Sequence, residues 1–415
     1  MKIVVCLHDY LPRHPGGTEI HAHEVARELA RRGHEVTALF TERDLAAQDG
    51  EVREGRLDGV RTLEVVHQRE YADVRESFEE PRSLELFRRL IGELAPDVVH
   101  FQHLAIWGSR VVPAARAAGA RVVVTLNDFW LLCDNATLLR PDGELCTDGL
   151  RGTCTSCLRR HPLLSERWSE SDPEARWRAA ARARFERHRT DLAAAHVVVS
   201  PSRFLARQLE AAGWLRAEDC EILLYGYPGT LHPPRRRDPS RKLRVGFVGG
   251  IYRSKGVHVL VRAFRHLRGE PLSLRVHGHL DWFPDYAAEL RREADGLDVT
   301  FAGGFARGEV EGVLSNLDLL VVPSIWYENM PITIYEARRH GIPVVVTNLG
   351  GMAEAVEHGV TGLTFPRGDD VALAERLRSL VHDPVLYDRL AAARPPIVRL
   401  DQVVDRLERL YTASC

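Results

Sequence analysis

Short apolar runs alternate with amphipathic stretches along most of the chain, and that alternation sets the first expectation. Residues 2–7 read as a buried strand and 8–17 as a turn-rich loop. Residues 18–32 read as a helix, with Ile20, Val25, Leu29 and Ala30 at helical spacing and Gly33 as its stop. Further strands are expected at 34–40, 97–101, 121–126 and 196–200, with helical stretches between them. Strands that are apolar throughout, separated by helices, predict a parallel sheet covered on both faces.

Residues 226–239 break the pattern. They are rich in Pro, Gly and charge, as an interdomain linker should be. The alternation then restarts, with strands at 242–248, 272–277, 317–322 and 342–347 and a helix at 256–267. We therefore divide the chain near 230–242 into two doubly wound α/β domains, residues 1–230 and 243–395. An amphipathic helix at 398–410 opens a terminal segment, 398–415, expected to cross back onto the first domain.

Composition narrows the function classes. The 415 residues are 45% hydrophobic and 27% charged with a net charge of −2, which argues against disorder and against a general nucleic-acid binder. No run reaches the roughly 18 apolar residues of a membrane span, and the N-terminal run is too short for a signal peptide. The expected location is the cytoplasm. Residues 159–189 hold nine arginines against five acids, with Trp168 and Trp177 interleaved. That segment reads as a solvated helix with internal ion pairs, or else as a peripheral contact with anionic lipid or a charged acceptor.

The densest chemistry lies in the second domain. Strand 317–322 runs into Pro323 and Ser324, then Ile325 to Ala337, which contains Glu328, Asn329, Met330, Pro331, Ile332, Thr333 and Glu336. Pro331 suits the first turn of a helix, where its missing amide hydrogen is not needed. The free amides near Asn329 to Thr333 would face the loop at the positive helix end, a setting that holds phosphate or sugar oxygens.

Glu328 and Glu336 stand in an E-x7-E spacing, followed by Gly341 to Thr347, Gly350-Gly351-Met352-Ala353-Glu354 and Gly359 to Leu363. Together these resemble the retaining glycosyltransferases of family 4, and the similarity runs over nearly the whole chain. The resemblance implies a GT-B fold: two Rossmann-like domains with a nucleotide sugar in a central cleft. It implies that Glu328 contacts donor-sugar hydroxyls, that Glu336 accepts from the ribose, and that amides around Asn329, Met330, Pro331, Ile332 and Thr333 surround the sugar and phosphates. Gly249 and Gly250 open the second domain's phosphate loop, and Lys255 is implied to neutralise the leaving diphosphate. Gly250 stands where the family commonly has arginine, so Arg253 is the candidate for the second cation. Gly16 and Gly17 match the family's donor-phosphate loop. Asn127 stands near the donor sugar where related enzymes often carry histidine, and it cannot exchange a proton near neutral pH. His103 is therefore the preferred acceptor-side contact, with Asp128 as the alternative. No D-x-D pair occurs, so no catalytic metal is expected.

Four of the seven cysteines, Cys133, Cys146, Cys154 and Cys157, fall in an insertion at about 129–170 with spacing C-x12-C-x7-C-x2-C. The pattern fits a structural zinc site, with free or disulfide-paired thiols and an iron–sulfur centre as alternatives and His161 as a substitute ligand. The resulting reading is a hexosyltransferase with metal-independent chemistry. Its donor is a UDP-sugar, or GDP-mannose next, and its acceptor a sugar, lipid-linked or small-molecule hydroxyl. A sugar-phosphate synthase on the same fold, a catalytically weak nucleotide-sugar-binding scaffold and a metal- or redox-sensing cysteine module are the competing readings.

Overall fold

The computed structural model describes residues 1–164, 173–227, 229, 231–393, 395 and 397–413. They form two compact units, Met1–Gly226 with Val398–Cys415, and Tyr227–Ile397. Trp168 lies outside the described residues.

Among the described residues the first unit builds one sheet of eight strands: β1 (Lys2–Cys6), β2 (Glu35–Arg43), β3 (Val52–Leu57), β4 (Val60–His67), β5 (Val98–Phe101), β6 (Arg121–Thr125), β7 (Val197–Ser200) and β8 (Glu221–Ile222). Their spatial order is β3-β4-β2-β1-β5-β6-β7-β8, and every pairing is parallel except β3 with β4. That antiparallel hairpin is not anticipated by the sequence reading. Its turn is Asp58-Gly59, both at positive φ (47° and 87°), as a tight two-residue hairpin loop requires.

The second unit's sheet, again among the described residues, has six strands: β9 (Leu243–Val248), β10 (Leu272–His277), β11 (Val299–Gly303), β12 (Leu319–Val322), β13 (Val344–Thr347) and β14 (Leu363–Phe365). The order is β11-β10-β9-β12-β13-β14, all parallel. In each sheet the first strand of the unit lies inside, and chain order reverses beside it. The reversals fall between β1 and β5 and between β9 and β12.

Two sequence expectations need correction. The segment expected as a linker is packed: the His232 and Arg235 amides donate to the carbonyls of Arg339 and Gly341, both at 2.9 Å. The units therefore part at Gly226/Tyr227, earlier than 230–242. The terminal helix is Leu400–Thr412, two residues later at each end than expected. Among the described residues no helix is long and apolar enough to cross a membrane.

That terminal helix buries Leu400, Val403, Val404, Leu407 and Tyr411 in one core with Ala22, Val25, Ala26 and Leu29 of the helix Gly17–Arg31. Arg32 bridges to Asp405 (2.6 Å) and Glu408 (2.7 Å) at its edge. Tyr411 Oη meets Nδ1 of the fully buried His100 at 2.7 Å, while Nε2 of the same ring meets Thr125 Oγ1 at 2.7 Å. Removing only the hydroxyl, in Tyr411→Phe, should cost about 1–3 kcal/mol because a buried ring nitrogen loses its partner. Tyr411→Ala should cost about 3–5 kcal/mol through the added cavity. Denaturant unfolding distinguishes the two, and an unchanged midpoint for Tyr411→Ala would show that this helix does not hold the core.

Candidate functional site

The second unit's reversal point is where its chemistry collects. After β9 the chain passes Gly249 and Gly250 and makes a short turn, Arg253–Lys255, before the helix Val257–Arg265. Gly256 between them has φ +71°, and a Cβ there would lie 1.9 Å from the carbonyl oxygen of Pro323 at the end of β12. Only glycine lets these two strand ends meet so closely. The Ile325 amide, donating to Ser254 O at 2.8 Å, fastens the contact.

Lys255 and Glu328 face each other across that junction. Lys255 Nζ donates to Glu328 Oε1 at 2.7 Å, Ser324 Oγ donates at 2.7 Å and Trp326 Nε1 at 2.9 Å, all to the same oxygen. Glu328 is buried, and the ammonium lies over the rings of Trp326 (5.3 Å) and Tyr252 (5.7 Å). Burial works against the lysine's charge, but Glu328 and Tyr252 outweigh it and hold Lys255 protonated above its ordinary range.

The remaining second-unit candidates are placed unequally. Asn329 and Met330 are buried beside Glu328, and Pro331 is the residue before the helix Ile332–Arg339 rather than part of its first turn. Ile332 and Thr333 open that helix half-buried, and Glu336 is buried one turn further along. Arg253 does not join Lys255: it pairs with Glu289 and covers the ring of Tyr286 at 5.0 Å. Gly250 leaves room for Tyr252, whose ring would be 2.5 Å from a Cβ at that position. A cation the sequence reading missed is Arg367, which follows β14 and donates from Nε to Ile325 O at 2.6 Å. Its only sequence signal is a turn-forming Pro366-Arg367-Gly368-Asp369.

The first unit gathers titratable groups at its own reversal point. His8 follows β1, and His103 follows β5, with ring centroids 4.0 Å apart. His103 Nε2 lies 2.9 Å from Asp128 Oδ2, while its Nδ1 accepts from the Ala105 amide at 3.1 Å, so the shared proton sits on Nε2. Burial opposes protonation of His103, yet Asp128, Glu19 and Asp9 together raise its pKa. Burial and the neighbouring His103 and His14 keep His8 neutral.

Glu19, which the sequence reading passed over, stands in the first turn of the helix Gly17–Arg31. Its carboxyl folds over Gly16, where a Cβ would lie 2.2 Å from Oε2. Neither Gly16 nor Gly17 needs a left-handed conformation here; Gly16 makes space for this carboxyl. The G-G-x-E order could have signalled it. Asn127 is engaged within the unit: Nδ2 donates to Gln102 O at 2.6 Å and Oδ1 accepts from Tyr225.

The arginine-rich segment is only partly a solvated face. Residues Glu174–Leu192 form a helix with internal pairs Arg178–Glu174, Arg182–Glu186 and Arg189–Glu186. Trp177 and Arg184 are buried, so neither is available to a surface partner.

Glu19 carries a pH signature. Burial is the largest cause, and Asp9 and Asp128 add to it, lifting its pKa from 4.5 to about 7 against the opposing pull of a backbone amide and His103. A carboxyl whose folded-state pKa is raised contributes stability fully below its unfolded pKa and loses it as pH climbs through the folded value. The parent protein should therefore lose thermal stability relative to Glu19→Gln between about pH 4.5 and 7 and level off above. A melting-temperature difference that stays constant with pH would exclude the protonated carboxyl.

Comparisons with known proteins place the chain in a family. Residues 15–228 match the sequence model of Glycosyltransferase Family 4, and residues 242–383 match that of Glycosyl transferases group 1. A glycogen synthase of Mycobacterium tuberculosis is 34% identical over 164 residues, 38% of each chain. A D-inositol 3-phosphate glycosyltransferase of Arthrobacter is 32% identical over 152 residues, 35% of this chain and 36% of that one. The chain thus spans little more than a third of the curated relatives it matches. Among solved structures, Anabaena HepE in complex with UDP and glucose superposes with a TM-score of 0.67 at 18% identity, covering 99% of this chain and 98% of that one. Sucrose-phosphate synthase of Thermosynechococcus elongatus gives 0.67 at 19% identity with the same coverage. These structures share the fold, and the family matches place the sequence: the chain belongs to glycosyltransferase family 4 and has the GT-B fold.

Proposed function

We propose that this protein transfers a hexosyl group from a nucleotide sugar to a hydroxyl acceptor with retention at the anomeric carbon. The observation that carries the reading is the Lys255–Glu328 pair at the second sheet's reversal point, where ligands of open α/β sheets bind outside the carboxyl ends of the strands. Lys255 offers a fixed positive charge to the departing diphosphate. Glu328 accepts three donors on Oε1, and none of those bonds engages Oε2, which is the oxygen assigned to a donor-sugar hydroxyl. Glu336 takes the ribose hydroxyls, and amides of Asn329, Met330, Ile332 and Thr333, the neighbours of the amide-less Pro331, take sugar and phosphate oxygens. Gly16 and Gly17 offer amides at the helix end Gly17–Arg31 to a phosphate, beside a Glu19 carboxyl that burial keeps easily protonated.

The reaction we assign is a same-face substitution. The acceptor oxygen bonds to the anomeric carbon as the bond from that carbon to the β-phosphate oxygen breaks. The acceptor's proton passes to the departing phosphate, and Lys255 stabilises the negative charge that develops there. His103, oriented by Asp128, contacts the acceptor hydroxyl. The chemistry calls on these side chains and amides rather than on a metal ion. A UDP-sugar is the favoured donor, supported by the UDP and UDP-glucose complexes of HepE, and GDP-mannose is next. A lipid-linked acceptor would suit the exposed arginines Arg176, Arg178 and Arg182 of the helix Glu174–Leu192.

Thermal-shift titration with UDP, GDP, dTDP and ADP tests the donor without an acceptor, because a ligand bound only by the folded state raises the melting temperature. UDP should stabilise the protein most. Equal, negligible shifts at millimolar ligand would overturn the donor site itself.

Lys255→Ala should reduce turnover by about 10²-fold or more, the usual effect of losing one transition-state charge contact. It should also destabilise the fold by about 3 kcal/mol, since a buried carboxylate is left unpaired. Lys255→Ala combined with Glu328→Gln should recover most of that stability and none of the activity. Activity within threefold of the parent in the single variant would refute the leaving-group role.

A further inference from the structure

The insertion that follows β6 carries a cluster that the transfer reaction does not use. Cys133, Cys146, Cys154 and Cys157 are all buried, between 1% and 7% exposed, and none is in a disulfide. They come from separate turns: the Cys133 amide closes a turn by donating to Phe129 O, the Cys146 amide donates to Leu138 O at 2.8 Å, and Cys154 and Cys157 flank the turn before Leu158–Arg160. Three of them, Cys146, Cys154 and Cys157, nevertheless pack together as one buried cluster, and Cys133 is buried in the same insertion.

Backbone amides point at the sulfurs as well. The amides of Thr137 and Leu138 approach Cys133, those of Asp148 and Gly149 approach Cys146, and that of Cys157 approaches Cys154. Neutral thiols gain little from such donors, whereas metal-bound thiolates are stabilised by them. Beyond Leu132 the insertion has little apolar core of its own: among its described residues the buried large apolar side chains there are Leu138 and Leu158, and the cysteines fill the rest.

Two arginines lie beside the cluster. Arg184 reaches from the helix Glu174–Leu192 into this region and is only 4% exposed. It donates to the carbonyls of Leu131 (3.3 Å) and Trp130, lies 3.6 Å from Asp134, and feels the charges of Cys133, Cys154 and Cys157. Its Nε has no hydrogen-bond partner. Arg140 reaches Cys146 from the other side. Each guanidinium already has a carboxylate beside it, Arg184 with Asp134 at 3.6 Å and Arg140 with Asp148 at 2.8 Å, so these pairs are neutral as they stand and the two arginines would face the net negative charge of a tetrathiolate site.

We propose that Cys133, Cys146, Cys154 and Cys157 bind one zinc ion as an all-thiolate structural site, with Arg184 as its buried counter-charge. Four sulfur ligands select zinc or iron chemistry. His161 is not a ligand: its ring lies against Tyr71 (5.3 Å) and its Nδ1 accepts from the Leu163 amide. The ion ties Cys133, a few residues after β6, to the turns that carry Cys146, Cys154 and Cys157, while Arg184 of the helix Glu174–Leu192 holds the Trp130 and Leu131 carbonyls beside it.

The test is elemental analysis of the full-length protein, purified without chelator and without a metal-affinity step. About one zinc per chain is expected, with four sulfur neighbours at about 2.3 Å by X-ray absorption of the unmodified protein. Cys154→Ser with Cys157→Ser should lose the metal, while Cys6→Ser with Cys220→Ser should keep it. Arg184→Met should release zinc to a competing chelator about 10-fold more readily, as loss of an outer-shell partner does. Metal-free protein, iron in place of zinc, or disulfides among these cysteines by non-reducing mass analysis would each overturn the proposal. The absorption measurement needs no variant, so misfolding of the serine forms cannot obscure the result.

Discussion

A parallel sheet that grows outward in both directions from its first strand must leave a gap beside that strand. Crossover helices on the two sides pack against opposite faces, so nothing covers the strand ends where chain order turns back. Both units are built this way, with reversals between β1 and β5 and between β9 and β12. The residues that follow those strands are therefore forced together whatever their separation in sequence. Lys255 and Glu328 are 73 positions apart and share one hydrogen bond because β9 and β12 are neighbours. His8 and His103 stack for the same reason, through the pairing of β1 with β5.

What fills each gap differs in kind. In the second unit the charges are fixed: a lysine held protonated and a carboxylate with three donors on one oxygen. A buried ion pair is a poor way to gain stability, since desolvation of both charges consumes most of their attraction. An apolar pair of similar size would hold β9 against β12 as well. The cost becomes intelligible if the pair keeps a lysine desolvated and charged for an anionic group that arrives later. The rings of Tyr252 and Trp326 serve the same end by excluding water while favouring a cation.

The sequence made the strands of both sheets legible wherever valine runs are continuous, because burial on both faces leaves no polar position to confuse the pattern. It left the β3–β4 hairpin hidden, since edge strands such as Val52–Leu57 are polar and nearly featureless; Asp58-Gly59 was the one clue. The 226–239 segment misled for a related reason. Prolines and arginines look like linker composition, yet backbone bonds to Arg339 and Gly341 need no apolar side chain. At the sites, Glu328 could be found because it belongs to a spaced motif, and the pairing with Lys255 could not, because spacing says nothing about which loops meet. Arg253 looked equivalent to Lys255 in sequence, but the turn carries it outward to Glu289. Glu19 was invisible as a titrating group, because its pKa comes from burial under a helix end and from carboxylates supplied by other loops.

The first unit's gap is filled by titratable groups whose pKa values their neighbours and burial shift. Glu19 sits near a pKa of 7, His103 is pulled up by carboxylates, and His8 is pushed down by burial and by other histidines. Each group's state depends on its neighbours', so a proton gained by one is felt by all. An anion approaching the helix end Gly17–Arg31 would meet a Glu19 that can stay neutral, and its negative charge would favour that neutral form further. Proton uptake should then accompany phosphate binding at this end, whereas the Lys255 side has no proton to exchange. The two units thus differ in the charge they hold at their reversal points, fixed at Lys255 and Glu328 and adjustable at Glu19.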